Sequence, residues 1–399
     1  MRSPLSRRSF LAGAGAAAAG LAGCTAPDAR GALDSTPSAQ FRVTAGRHGF
    51  RDVAAPDAIE RAWRLPDVNV GEHTAAKASP LPTPSGDLVV PGDSGLVYRV
   101  SPDGDVRWRA ATDPSVRGIH GTPAIANGTV YVGAYDGTLY AFDLTTGIRE
   151  WKTTLGDAIG SSPLYHDGQL YVAVEYFTPS GALFVVDAAS GDVVWEDQRV
   201  TDHPHSSPAV DAETGTLVVG SNDGYLYAWD HPDLEFAWRF ETGDAIKGPV
   251  ATVDGAAFFG SWDHRVYRVD LAAGTEDWSF EADGKVMSGP GIDDDRRTVY
   301  VGSHDGSLYA LDVETGEPRW SFETDGLLIG CPAVTRDDVL VGSYDGRCYC
   351  VEKATGEERW RAEASGWVTS TPLVHDGAVY FTDRATAERS GGLYKLEPA

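Results

Sequence analysis

The chain has 399 residues, with 58 acidic against 33 basic side chains, a formal net charge of −25 and four cysteines. That surplus of acid argues against a nucleic-acid partner, because phosphate contacts need a basic stripe. Spread through turns rather than run in blocks, it reads as a solvated surface suited to high salt, where screening removes self-repulsion.

The first element is not part of the fold. "SRRSFLAGAGAAAAGLAGC" carries Arg7-Arg8, then Phe10-Leu11 and an Ala/Gly-rich apolar stretch. This reads as a twin-arginine (Tat) export signal over residues 1–23, and Leu21-Ala22-Gly23-Cys24 as a lipobox that would make Cys24 the lipidated first residue. The apolar run is too short and too Gly-rich to span a bilayer. Residues 24–45 then read as a flexible tether, rich in Pro, Ala and Ser over 25–40, and the folded part as 46–399.

From residue 79 onward the chain repeats itself. "VGAYDGTLYAFDLTTGIREW" (132–151) and "VGSHDGSLYALDVETGEPRW" (301–320) are near copies, with looser ones at 219–238 and 341–360. Each copy parses alike. "VYVG" is a strand, and "S-x-D-G" a hairpin turn in which Asp bonds its own backbone and Gly takes positive φ. "LYALD" is a second strand, "TG" a second turn, and the Trp marks a third strand. A small residue followed by Pro precedes each copy and marks a fourth strand, its prolines being Pro80, Pro123, Pro163, Pro208, Pro249, Pro290, Pro332 and Pro372. Four antiparallel strands per unit, repeated eight times at 40–45-residue spacing, predict an all-β, eight-bladed β-propeller. The outer-strand Trp recurs at Trp108, Trp151, Trp195, Trp238, Trp278, Trp320 and Trp360. The eighth unit ends at Ala399 without one. "ERAWRL" supplies Trp63 near the N-terminus, so an N-terminal strand is expected to complete the eighth blade and close the ring.

The pattern Ala-x-Asp-x-x-Thr-Gly-x-x-x-Trp, complete at Ala141–Trp151 and Ala310–Trp320, resembles the tryptophan-docking motif of pyrroloquinoline quinone (PQQ) repeat propellers. Cys350 and Glu352 depart from it in the seventh unit, and the fourth lacks Thr-Gly. A WD40 reading fits less well, since there the Trp-Asp pair ends the third strand. The resemblance implies that all eight Trp are structural, each packed between neighbouring blades. It also offers two functions. One is a PQQ- and Ca²⁺-dependent quinoprotein dehydrogenase, which would need adjacent cysteines and a Ca²⁺-ligand set that the sequence does not display. The other is a non-enzymatic, lipid-anchored scaffold, similar to the lipoprotein of the bacterial outer-membrane assembly machine, which matches in size and lipobox.

No catalytic motif stands above the repeat. Asp136, Asp223, Asp305 and Asp345 are equivalent turn positions, and "DDDRR" (293–297) lacks the alternation of a Ca²⁺ loop. Cys331, Cys348 and Cys350 occupy slots held elsewhere by small or apolar residues and read as buried, with a Cys331–Cys348 disulfide or a soft-metal site as alternatives. Candidate binding residues lie two or three positions before the marker prolines, at the mouth of the channel: Lys77, His120, Ser161, His205, Lys247 and Ser288. Two His and two Lys converging in an acidic protein suit an anionic ligand. Two long loops, 175–181 with Tyr176 and Phe177 at its tip and 383–391, stand on one face and are further candidates. The expectation is an exported, lipid-anchored, monomeric disc that binds a protein or small anionic ligand at the cell surface, without chemistry or cofactor of its own. The alternative is the dehydrogenase.

Overall fold

The computed structural model describes residues 34, 36–70, 78–113, 118–293, 297–387 and 389–399, and among these there are strands and turns but no helix. The strands form eight antiparallel sheets arranged as an eight-bladed propeller. Blades one to seven run in chain order over residues 81–111, 124–154, 164–200, 209–241, 251–281, 291–323 and 333–363. Blade eight combines Leu373–His375, Ala378–Thr382 and Gly391–Pro398 with Ile59–Asn69 as its outer strand. In that pairing Ile59 lies opposite Pro398, Trp63 opposite Lys395 and Asn69 opposite Gly391.

The burial explains the sequence pattern. Second strands such as Thr129–Gly133 and Thr298–Gly302 are buried at every position, since blades cover both their faces, and they read as continuous apolar runs. Outer strands such as Pro318–Glu323 alternate between exposed and partly buried.

Three recurring contacts join blade to blade. The first uses the outer-strand Trp. Trp151 Nε1 donates to the Ala188 carbonyl at 3.2 Å and Trp320 Nε1 to that of Lys353 at 2.9 Å. Each ring lies on the turn glycine of the next blade, where a Cβ on Gly191 or Gly356 would come within 2.7 Å of the indole. Blade four has no such glycine turn, and Trp195 instead meets Trp229 edge-to-face at 6.4 Å. The second uses the turn aspartate. Asp305 accepts the Ser307 N–H at 2.8 Å, the Tyr309 hydroxyl at 2.9 Å and, from the preceding blade, the Asp283 N–H at 3.1 Å. Asp223, Asp263 and Asp345 repeat this arrangement. Burial, and then the bond to Asp223, push the Tyr227 hydroxyl up to about 12. The third uses the residue before the marker proline. The N–H of Thr371 donates to Ser79 Oγ, Ser79 to Thr122, Thr122 to Ser162, Ser162 to Ser207, and Gly289 to Cys331 Sγ, at 2.9–3.3 Å. That series runs round the axis and accounts for the small polar residues at this position.

The tether expected through residue 45 is corrected. Ala39–Gln40 pairs with Ala124–Ala126 as an extra strand of blade two, and Gln40, Phe41, Arg42, Ala45 and Arg47 are largely or fully enclosed. The cause is tertiary: backbone carbonyls of this segment accept N–H groups of distant inner strands, and two arginines donate to backbone carbonyls where those strands begin, which a composition-based reading does not register. The signal, the lipobox and Cys24 lie outside the described residues.

Candidate functional site: an axial cup

The turns that open S-x-D-G and the segments that lead into the marker prolines meet at one end of the channel. They enclose a cavity of about 360 Å³. The variable position of the S-x-D-G turn contributes Tyr135, Trp262, His304 and Tyr344, while the pre-proline segments contribute His120, Gly160, His205, Lys247, Met287, Ile329 and Thr369. Phe41 and Cys331 also line it.

One wall is a connected polar cluster. His120 is 6% exposed and packs on Tyr135 with ring centroids 4.1 Å apart. The Tyr135 hydroxyl is 3.4 Å from His205 Nδ1, which lies 3.0 Å from the carboxylate of buried Glu175. Gly160 admits this cluster, since a Cβ there would lie 2.6 Å from Glu175 Oε1. The facing sector is cationic. The Lys247 and Lys285 ammonium groups lie 3.7 and 3.8 Å from the centroid of the Trp262 ring. Burial, and then the neighbouring Lys285, lower the Lys247 pKa from its ordinary value. At the rim Trp367 stacks on Tyr344 at 4.8 Å, with the Arg384 guanidinium 5.4 Å above the Trp367 ring.

His120, His205 and Lys247 thus share the cup. Lys77 lies outside the described residues. Ser161 and Ser288 turn away: Ser161 Oγ donates to the Ala173 carbonyl, and Ser288 Oγ to that of Gly330. Tyr176 and Phe177 cap the hairpin joining Gln169–Tyr176 to Ser180–Asp187, and they border a separate recess with Asp157, Thr178 and Gln198. Phe177 is 84% exposed there. In the 383–391 loop Asp383 is structural, accepting from the Tyr394 hydroxyl and the Gly366 N–H. Sequence reasoning missed Trp262, Lys285, His304 and Tyr344. Three of these occupy equivalent positions in repeats already aligned, and lining up the variable residue of S-x-D-G would have found them.

The three described cysteines are free and buried, so the Cys331–Cys348 disulfide is not formed. Burial pushes the Cys348 and Cys350 thiols up, inside the core between blades seven and eight. The donors do not fit the Ca²⁺ of a quinoprotein site, which would call for six to eight oxygen ligands. Among the described residues no Asp or Glu lines the cavity directly, the one carboxylate of the wall being Glu175 behind His205, and no group of three or more His, Cys, Asp or Glu is placed to hold a metal.

Comparison with known proteins agrees with the architecture. BamB of Salmonella typhimurium, an outer membrane protein assembly factor, is 27% identical over 198 residues, covering 47% of this chain and 48% of that protein. The serine/threonine-protein kinase AfsK of Streptomyces coelicolor is 28% identical over 237 residues, covering 57% of this chain and 26% of the kinase. The chain therefore spans about half or less of the length of these relatives. The solved quinohemoprotein alcohol dehydrogenase ADHIIG of Pseudomonas putida superposes with a TM-score of 0.76 over 90% of this chain and 80% of that one, at 17% identity, which speaks to fold alone. A family model described as outer membrane protein assembly factor BamB matches residues 51–232, 185–327 and 324–397. With nearly all of the disc matched, the chain belongs to that family of PQQ-repeat propellers.

Proposed function

We propose that this protein is an exported, lipid-anchored binding propeller whose axial cup receives an anionic group from a protein partner or a small ligand. The observation that carries the reading is the pair of ammonium groups on Trp262. Among the described residues neither forms a salt bridge, although the chain as a whole is strongly acidic. An amine held against an aromatic face in a partly closed cavity gains from a bound anion more than a solvated one does. Among the described residues the wall holds one carboxylate, Glu175, which is engaged with His205, and this favours the reading over a Ca²⁺-assisted dehydrogenase, whose ion calls for several oxygen ligands. Membership of a family that includes an assembly factor supports a binding role, and the twin-arginine and lipobox motifs support the extracytoplasmic, anchored location.

The test is calorimetric titration of the whole protein with naphthalene-2,6-dicarboxylate at molar and at low salt, beside a Lys247→Ala/Lys285→Ala variant. Saturable binding that weakens by about tenfold or more in the variant supports the cup. No binding to either, together with capture of the same membrane partners by both, overturns it.

A further inference from the structure

Residues 38–53 cross the end of the channel opposite the cup's mouth, and they do so in blade order. The Ser38 N–H bonds to Ile125 of blade two, and Gln40 Oε1 accepts from Tyr165 of blade three. The carbonyls of Ala45, Gly46, His48 and Gly49 accept the N–H groups of Val210, Thr252, Ile292 and Val334, one on the inner strand of each of blades four to seven. Val53 then accepts from Arg336.

Two arginines fill the axis behind it. Arg47 is fully buried and donates to the carbonyls of Phe41, Ser162 and Pro208. Arg42 donates to those of Arg47, His48, Gly289 and Pro290. Their guanidinium groups therefore clamp blades three, four and six. Phe41, between the strand and Arg42, forms the floor of the cup, and the Cys331 thiol lies beside the Arg42 guanidinium.

We infer that residues 38–53 form a detachable clasp, which opens as a unit while the ring stays closed and whose release converts the cup into an open channel. Four features carry this. The clasp makes a short pairing with blade two, one backbone bond to each of blades four, five and six and three to blade seven, where the blades themselves have continuous ladders. Two of its three arginines, Arg42 and Arg47, are buried against neutral carbonyls, and among the described residues neither pairs with a carboxylate, an arrangement that leaves much of the desolvation cost uncompensated. Arg42, Val43 and Arg47 hold left-handed backbone, with φ of 60°, 73° and 55°. Ring closure does not depend on it, because Ile59–Asn69 makes that joint separately. Elements with few bonds and stored strain open below the global unfolding transition.

Hydrogen exchange of the full chain in sub-denaturing guanidinium tests the inference, with Cys331 alkylation as a second readout. The amides of Val210, Thr252, Ile292 and Val334 should share one opening event. They should exchange at least about a hundredfold faster than those of Val219 and Val301, in the second strands of blades four and six. Cys331 should alkylate on the same timescale, ahead of Cys348 and Cys350. Gly49→Ala places a Cβ at φ +73° and 2.9 Å from Arg42 Nη2. It should accelerate exchange of the four amides and alkylation of Cys331, and leave Val219 and Val301 unchanged. Exchange of the four only with global unfolding, or a Gly49→Ala effect equal at clasp and core, overturns the clasp. Cys331 labelling that Gly49→Ala does not accelerate would show access through the cup's mouth and overturns it as well.

Discussion

Trp63 and Pro102 are 39 residues apart on neighbouring blades, and the indole N–H of the first donates to the carbonyl of the second at 3.0 Å. The indole also lies over Gly104, whose added Cβ would come 3.1 Å from the ring. This is the contact that Trp151 and Trp320 make elsewhere, so the joint between blades eight and one is built like the others. Trp63→Ala should therefore cost about as much as Trp151→Ala or Trp320→Ala, about 3 kcal/mol for a large, mostly enclosed side chain. Guanidinium unfolding of the three variants checks this. A Trp63→Ala effect within about 0.5 kcal/mol of zero would place Trp63 among surface substitutions.

Asp338 gives a pH-dependent prediction. Burial raises its pKa to about 6, against the opposing pull of Arg359, whose Nε lies 2.9 Å away. The folded chain thus holds this proton more tightly than the unfolded chain, and folding loses stability as pH rises from about 4 to about 6. Asp338→Asn should be neutral or mildly destabilising at pH 4 and gain on the wild type across that window, by about 1–3 kcal/mol above pH 6. Denaturant midpoints at pH 4, 5, 6 and 7 would show a difference growing and then levelling. A difference independent of pH would refute the assignment.

Salt dependence follows from the net charge of −25. Lowering salt from about 1 M to about 0.1 M lengthens the Debye length from about 3 to about 10 Å. Repulsion among the surplus carboxylates should then lower Tm. A Tm constant over that range removes the inference of adaptation to salt.

Cys24→Ser should leave export intact and release the protein to the medium, because the acyl chains supply the membrane affinity. Fractionation after a high-salt wash is the measurement. Retention of the variant in the membrane fraction would rule out anchoring through Cys24.

The disc was legible because each blade repeats its joints. Pro290, Asp305 and Trp320 recur in register with Pro123, Asp136 and Trp151, and repetition turns a weak local signal into a count. Trp63 was legible by subtraction, as the docking residue that the eighth unit lacked. The clasp was not legible, because Arg42 and Arg47 act through backbone carbonyls of residues up to 248 positions away, and carbonyl acceptors leave no trace in side-chain type. The cup was half legible. His120, His205 and Lys247 follow from the distance to a marker proline, whereas Lys285 sits outside that spacing and is tied to the cup through the Trp262 ring.

The pairing of Trp63 with Lys395 also fixes an order of events. The outer strand of blade eight is synthesised before the other seven blades, and its three partners after them. Seven blades can assemble locally as the chain emerges, through hairpins of short sequence separation, while Ile59–Asn69 remains without its mate. The final joint spans more than 300 residues, so its loop-closure cost is met once, at the end. Until then Ile59–Asn69 has unpaired strand edges, and Gly391–Pro398 has one once made, the kind of surface most prone to pairing with another chain. A truncation near the C-terminus would therefore do more harm than its length suggests, since it strands the first-made strand as well as removing the last.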